Sequence, residues 1–238
     1  MKQKKLFLTG ATGFIGSDLL EKFVGEGYDV VALVRPTSNL RFIRQYIDNP
    51  QIEIREGDVR DKKGLGELIT DCDTLVHCAS FVGDWGKKED YYKTNVQGTR
   101  NVLEAGREQG VDFTILISSN VVLGEEDCLR AKGEDSSYNP EFPYFLRNVF
   151  ESDMNHYRNT KAVAEREAID FSLRNQANLT VVRPVWTYGP REFNAGPYIF
   201  CKSVLSGNRF FPGLKTNKFH TIYVKDLSEM VFRLIEKK

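Results

Sequence analysis

The 238-residue sequence predicts an α/β protein built on a doubly wound parallel sheet, with a small and shortened C-terminal region. Two observations carry that prediction. Short apolar runs alternate with amphipathic stretches from the N-terminus to Arg183, the pattern of strands covered by helices on both faces. The first run ends directly in Thr9-Gly10-Ala11-Thr12-Gly13-Phe14-Ile15-Gly16, a glycine turn between strand and helix. Right-handed crossovers then set the winding.

Strands are expected over residues 5–9, 29–34, 52–55, 74–78, 113–118 and 179–183, each rich in Val, Ile, Leu or Phe. Helices are expected between them over 14–26, 38–46, 61–70, 89–109 and 151–174. The first helix shows its buried face in Leu19, Leu20, Phe23 and Val24. Past Arg183 the rhythm breaks, with Gly189-Pro190, Gly196-Pro197, Gly207 and Pro212-Gly213 marking loops and short elements. A helix from Val224 to the end closes the chain. The expected division is therefore 1–183, 184–223 and 224–238.

Composition excludes several classes of function. Lys plus Arg total 33 and Asp plus Glu total 33, so no nucleic acid and no membrane surface is expected as a partner. Lys2, Lys4 and Lys5 look like the start of an export signal, but the apolar stretch behind them is too short. A cytoplasmic protein is expected. Cys72, Cys78, Cys128 and Cys201 form no CxxC pair and no metal-ligand spacing with the three histidines, so reduced thiols and no metal are expected.

Ligands of such sheets bind at the carboxyl ends of the strands. In the first turn Gly10 permits the tight bend, Gly13 lets backbone approach a pyrophosphate, and Gly16 lets the helix lie close. The helix from Phe14 then aims its amides and dipole at the anion. A plain glycine turn would show the same residues. After the second strand, Arg35 with Thr37 and Ser38 suits a ribose 2′-phosphate, pointing to NADP with NAD left open. The ordinary alternative is an exposed Arg before a Ser-capped helix. Asp58 stands where an adenine amino group would lie, or else stabilises its own turn. His77-Cys78-Ala79-Ser80 ends the fourth strand in small residues over which a cofactor can pass, and His77 itself reads as a satisfied core histidine.

The reacting groups are sought in Ser119 and in Tyr157 with Lys161, four residues apart on one helical face. A phenol of pKa about 10 is a poor acid or base at neutral pH, and a neighbouring ammonium is expected to lower it. Tyr198 and Lys202 repeat the spacing but lie off the long helix after the fifth strand, and are set aside.

Taken together, the glycine turn, Gly57-Asp58, Asn95-Val96-Gln97-Gly98-Thr99, Ser118-Ser119 with Val122-Leu123-Gly124, and Tyr157 with Lys161 occur in a familiar order. Arg183-Pro184, Tyr188-Gly189-Pro190 and Tyr223-Val224-Lys225-Asp226 continue it. The chain resembles the extended short-chain dehydrogenase/reductase superfamily over nearly its whole length. The run Leu33-Val34-Arg35-Pro36-Thr37-Ser38-Asn39-Leu40 is similar to dihydroflavonol-reductase-like and 3β-hydroxysteroid-dehydrogenase-like proteins, and to sugar epimerases of hopanoid pathways. The resemblance implies a Rossmann fold with a substrate-binding C-terminal region, and NAD(P)-dependent hydride transfer at a carbinol or ketone of a small substrate. It implies Tyr157 as acid/base, Lys161 as its electrostatic partner and ribose ligand, Ser119 as donor to the substrate oxygen, and Asn95 in a supporting network. Gly10, Thr12, Gly13, Phe14, Ile15, Gly16, Arg35, Asp58, Val59, Cys78, Ala79, Ser80 and Pro184 would line the cofactor. Trp85, Asn120 and Trp186 would face the substrate, and a homodimer is allowed. The alternatives are a sugar or nucleotide-sugar epimerase/dehydratase, and a cofactor-binding regulatory protein without turnover.

Departures from the pattern lean away from nucleotide sugars: Trp186 stands where their enzymes usually carry Asn, and Asn120-Val121 follow Ser119 where dehydratases carry Asp-Glu. Phe81, Trp85, Phe142, Tyr144 and Phe145 fall in segments expected to border the pocket, which points to a moderately apolar substrate, or equally to pack a core. The stretch 125–150 is long for the family and is expected to be a lid, an interaction surface or plain loop. The family usually continues past Asp226, so a fragment or a compact member is expected.

Overall fold

The computed structural model describes residues 4–83, 85–124, 132–141, 154–192, 196–207 and 220–238. Six strands form one parallel sheet: β1 (Lys5–Thr9), β2 (Asp29–Val34), β3 (Ile52–Glu56), β4 (Thr74–His77), β5 (Phe113–Ile117) and β6 (Leu179–Val182), in the order β3-β2-β1-β4-β5-β6. The strand order reverses between β1 and β4, which opens a crevice at their carboxyl ends. Registers are in step across that centre, with Leu8 opposite Ala32 on one side and Val76 on the other.

Alternation along the strands sorts side chains to two cores. Leu6 and Leu8 of β1, with Val30 and Ala32 of β2, face α1 (Phe14–Gly25) through Leu19, Leu20 and Phe23. Phe7, Val31 and Leu33 point the other way, against α2 (Lys62–Leu68), whose carboxyl end Ile69 is also buried, and against Val102 of the helix before β5. That helix departs from the single run expected over 89–109. It consists of α3 (Lys88–Tyr91), a π-helical segment (Tyr92–Gln97) and α4 (Gly98–Glu108), with Asn95 buried in the π segment. Such a bulge changes which residues face inward at a functional position.

The expected helix over 38–46 does not form; only a 3-10 turn, Arg44–Tyr46, is present. Asn39 accepts the Arg41 amide through its side chain at 3.0 Å, an Asx turn that competes with helix at its start. Leu40 and Ile43 still reach the first core, so the segment packs without being helical. After α5 (Met154–Asn175) and β6, the C-terminal part contributes β7 (Trp186–Tyr188), α6 (Gly196–Leu205), β8 (Thr221–Tyr223) and α7 (Val224–Glu236). Strands β7 and β8 pair in parallel as a separate small sheet. Leu227, Val231 and Ile235 of α7 return to the α1 face of the main core.

Polar contacts also join this part to α1. Ser228 Oγ donates to Asp18 Oδ2 at 2.7 Å, Lys225 Nζ donates to Glu21 at 2.6 Å, and Arg191 donates to the Ser17 carbonyl at 2.9 Å. Among the described residues no helix is long and apolar enough to cross a membrane.

Candidate active site

The glycine turn owes its shape to its missing side chains. Gly10 lies at φ 74°, and a Cβ there would stand 2.7 Å from the Ala79 nitrogen. A Cβ on Gly16 would overlap the Gly10 carbonyl oxygen and sit 2.6 Å from its carbon. Only glycine fits at either place. Gly13 is the N-cap of α1 and offers no side-chain cap. The first helical bond runs from the Ser17 amide to the Gly13 carbonyl at 3.0 Å, so the amides of Phe14, Ile15 and Gly16 have no acceptor within the helix. Bare amides and the positive end of the dipole, at the mouth of the sheet crevice, fit a dinucleotide pyrophosphate. Thr12 is half-buried beside them.

Opposite, the end of β4 is held to β1 by Thr9. Its Oγ1 accepts the Cys78 and Ala79 amides at 3.2 and 3.1 Å, which leaves its proton for His77 Nδ1 at 2.7 Å. His77 Nε2 must then donate to Thr99 Oγ1 at 3.0 Å, since the Thr99 proton goes to the Asn95 carbonyl. Burial pushes the His77 pKa down to about 3, with the nearby Lys161 charge adding to it. His77 is thus a neutral, satisfied core group.

Asn95 uses its whole amide. Oδ1 accepts Ser80 Oγ at 3.0 Å and the Phe81 amide at 2.7 Å; Nδ2 donates to the Phe81 carbonyl and to Thr160 Oγ1, each at 3.1 Å. It therefore clamps the chain after β4 to α5, the helix that carries Tyr157 and Lys161. Phe81 stacks edge-on against buried Tyr91 at 4.7 Å, which places it in the packing of this loop.

Ser119 follows β5 and caps a short 3-10 turn, its Oγ accepting the Val121 amide, and it lies close enough to the half-buried Tyr157 to act on its phenol. Burial pushes the Tyr157 phenol up to about 12, against the opposing pull of Ser119. This corrects the expectation of a lowered phenol. Lys161 is almost fully buried and turns one of its three donors to the Ile117 carbonyl at 2.8 Å, which fixes the ammonium against β5. Its own pKa falls to about 8 through burial. Cys78 lies within electrostatic range of both, its thiol pushed by burial to about 12.

The remaining predicted residues lie along the same carboxyl edge or beyond it. Buried Pro184 accepts the Asn120 amide through its carbonyl at 3.0 Å. Buried Val59 packs below Gly98. Arg35 is exposed after β2, close enough to Asp58 to act on its charge. Burial alone would raise Asp58, but Arg60 grips both its oxygens, at 2.6 Å from Nη2 to Oδ2, and holds it below its ordinary value. Trp85 is 81% exposed and Trp186 45%. Phe142, Tyr144, Phe145 and Cys128 fall outside the described residues, as does most of 125–150. Glu165 went unnoticed in the sequence, although Tyr157, Lys161 and Glu165 follow one another at four-residue steps.

Comparison with known proteins shows the family and the fold. Residues 6–238 match the model of the NAD dependent epimerase/dehydratase family. The chain is 29% identical over 227 residues to the sterol-4-alpha-carboxylate 3-dehydrogenase, decarboxylating, of Mus musculus, covering 95% of this chain and 58% of that protein. It is 30% identical over 229 residues to the N-acetyl-alpha-D-glucosaminyl-diphospho-ditrans,octacis-undecaprenol 4-epimerase of Escherichia coli O157:H7, covering 95% and 61%. The structure of UDP-glucuronic acid 4-epimerase from Bacillus cereus in complex with NAD superposes with a TM-score of 0.78 at 26% identity, covering 98% of this chain and 74% of that one. The chain spans about half the length of the curated relatives it matches.

Proposed function

The chain belongs to the NAD dependent epimerase/dehydratase family, and from that premise we propose that it moves hydride between a nicotinamide dinucleotide and a carbinol or ketone of a small, moderately apolar substrate. The observation that carries this is Ser119 brought up to Tyr157 with Lys161 one turn on, at the sheet edge where α1 presents its bare N-terminus. The amides after Gly13 would hold the pyrophosphate, and Cys78, Ala79 and Ser80 would floor the nicotinamide side. A bound dinucleotide supplies the hydride acceptor or donor. The chain supplies the proton. In the reducing direction Tyr157 must start protonated, which its burial secures. In the oxidising direction it must take a proton from the substrate hydroxyl, and only a cation at Lys161 makes a buried phenolate accessible. Ser119 aligns the substrate oxygen with that proton.

Exposed Arg35 supports NADP over NAD, because its guanidinium forms no ion pair among the described residues and suits a 2′-phosphate. Exposed Trp85 and Trp186 support an apolar substrate. Epimerisation, with hydride returned to the opposite face, is the second reading, and the likeness to the two epimerases favours it.

The test is Tyr157→Phe, followed by nicotinamide absorbance against a panel of ketones and secondary alcohols. Hydride exchange should fall about 100-fold or more while dinucleotide affinity is nearly unchanged. Substantial exchange by the variant would sink the mechanism.

A further inference from the structure

Glu165 is fully buried on α5, and no step above uses it. It continues the ladder of Tyr157 and Lys161 by one more turn, so three polar side chains share one face of the helix. That face is fastened to three successive residues around the end of β5. Lys161 Nζ donates to the Ile117 carbonyl at 2.8 Å, Ser118 Oγ donates to Glu165, and Ser119 stands close enough to Tyr157 to act on it.

A buried carboxylate is costly unless it is matched. Arg183 donates to Glu165 Oε1 from Nε at 2.9 Å and from Nη2 at 2.6 Å, and the Tyr138 hydroxyl donates to the same oxygen at 2.6 Å. Oε2 takes Ser118. Every partner is a donor, and Arg183 supplies the matching cation.

Four titratable groups face Lys161: Tyr157 and Glu165 from its own helix, and Cys78 and His77 from the end of β4. Cys78 would support the ammonium most strongly if it were ionised, but burial holds its thiol neutral through the range in which Lys161 titrates. The Tyr157 phenol and His77 are neutral there too. Glu165 is the remaining anion.

We propose that Glu165 is a positioning residue: it keeps the buried Lys161 charged and, through Ser118, holds the Ser119–Tyr157 pair against the end of β5. The proposal rests on the roles given above to Tyr157 and Lys161.

The test is direct titration of Lys161 by NMR in the full chain labelled at the lysine ε-carbons, the resonance being assigned by its loss in Lys161→Arg. In Glu165→Gln the midpoint should fall by about one pH unit, a tenfold rise in the ionisation constant. The alkaline limb of the turnover profile should move acidward with it. If that variant does not fold, Glu165→Gln with Arg183→Met removes both charges and leaves no unpaired ion; a smaller fall in the same direction is expected, because the cation that opposed Glu165 is lost with it. An unchanged midpoint in the variant that folds overturns the proposal, leaving Glu165 a structural strut. The midpoint is read without substrate, so an active Tyr157→Phe would sink the mechanism separately.

Discussion

Replacing Gly16 by Ala should separate the packing role of the glycine turn from its binding role. The new methyl would overlap the Gly10 carbonyl oxygen and lie 2.6 Å from its carbon and 3.1 Å from the Ala11 nitrogen. All three are backbone atoms, so no flexible side chain can give way. Nor can Gly10 retreat, because its own Cβ position already lies 2.7 Å from the Ala79 nitrogen. The strain must therefore lift α1, whose Leu19, Leu20 and Phe23 are fully buried. Overpacking of this kind costs about 3 kcal/mol at the upper end of its usual range. The helix propensity of Ala over Gly returns about 1 kcal/mol. A net loss of about 2 kcal/mol lowers the melting temperature of a chain this size by roughly 4–8 °C. Gly13→Ala is the control: its Cβ would meet only the Gly10 oxygen, at 3.3 Å, and its backbone is extended. Its stability should stay within about 1 kcal/mol of the unmodified protein, while its methyl obstructs an approaching phosphate. Thermal melts followed by circular dichroism, paired with NADPH fluorescence titration, measure both. An unmoved melting temperature in Gly16→Ala refutes the packing argument; full NADPH affinity in Gly13→Ala refutes the placement of the pyrophosphate.

Two further outcomes are expected. Arg35 is exposed, so solvent screening holds its preference for NADPH over NADH to about 1–1.5 kcal/mol, roughly five- to tenfold, and Arg35→Asp should reverse it. Tighter NADH binding by the unmodified protein, in paired titrations at fixed ionic strength, would show that Arg35 serves only its turn. His77, held neutral down to about 3 against an ordinary value of 6.5, binds a proton in the unfolded chain before it does so in the fold. Its contribution is complete above that ordinary value and is lost as the pH falls through the window, costing about 2 kcal/mol by pH 5. His77→Gln, which can still accept from Thr9 and donate to Thr99, should flatten this part of the melting-temperature profile; an equally steep acid loss in the variant would refute it.

Much of the architecture was legible from neighbours in the chain. Strands β1 and β2 fall on the expected residues because an apolar run between a charged start and a turn is complete within itself. The glycine turn is legible for the same reason: each glycine answers to atoms a few residues away, or to the next strand. The four-residue spacing of Tyr157 and Lys161 likewise guarantees a shared helical face. Where local signals compete, the reading fails. Residues 38–46 carry a helical apolar spacing, but the Asn39 side chain takes the Arg41 amide and the chain turns.

What only the tertiary structure decided is the electrostatic state of the site. Spacing places an ammonium near a phenol, but it does not show that Lys161 is anchored to the Ile117 carbonyl, or that burial raises Tyr157. Nor does it show that Glu165 gathers Ser118, Tyr138 and Arg183 from three separate stretches of chain. Desolvation and long-range pairing do not exist until the chain has closed around these groups. The sequence by itself determined which groups are present and which share a face; folding determined which of them carry charge.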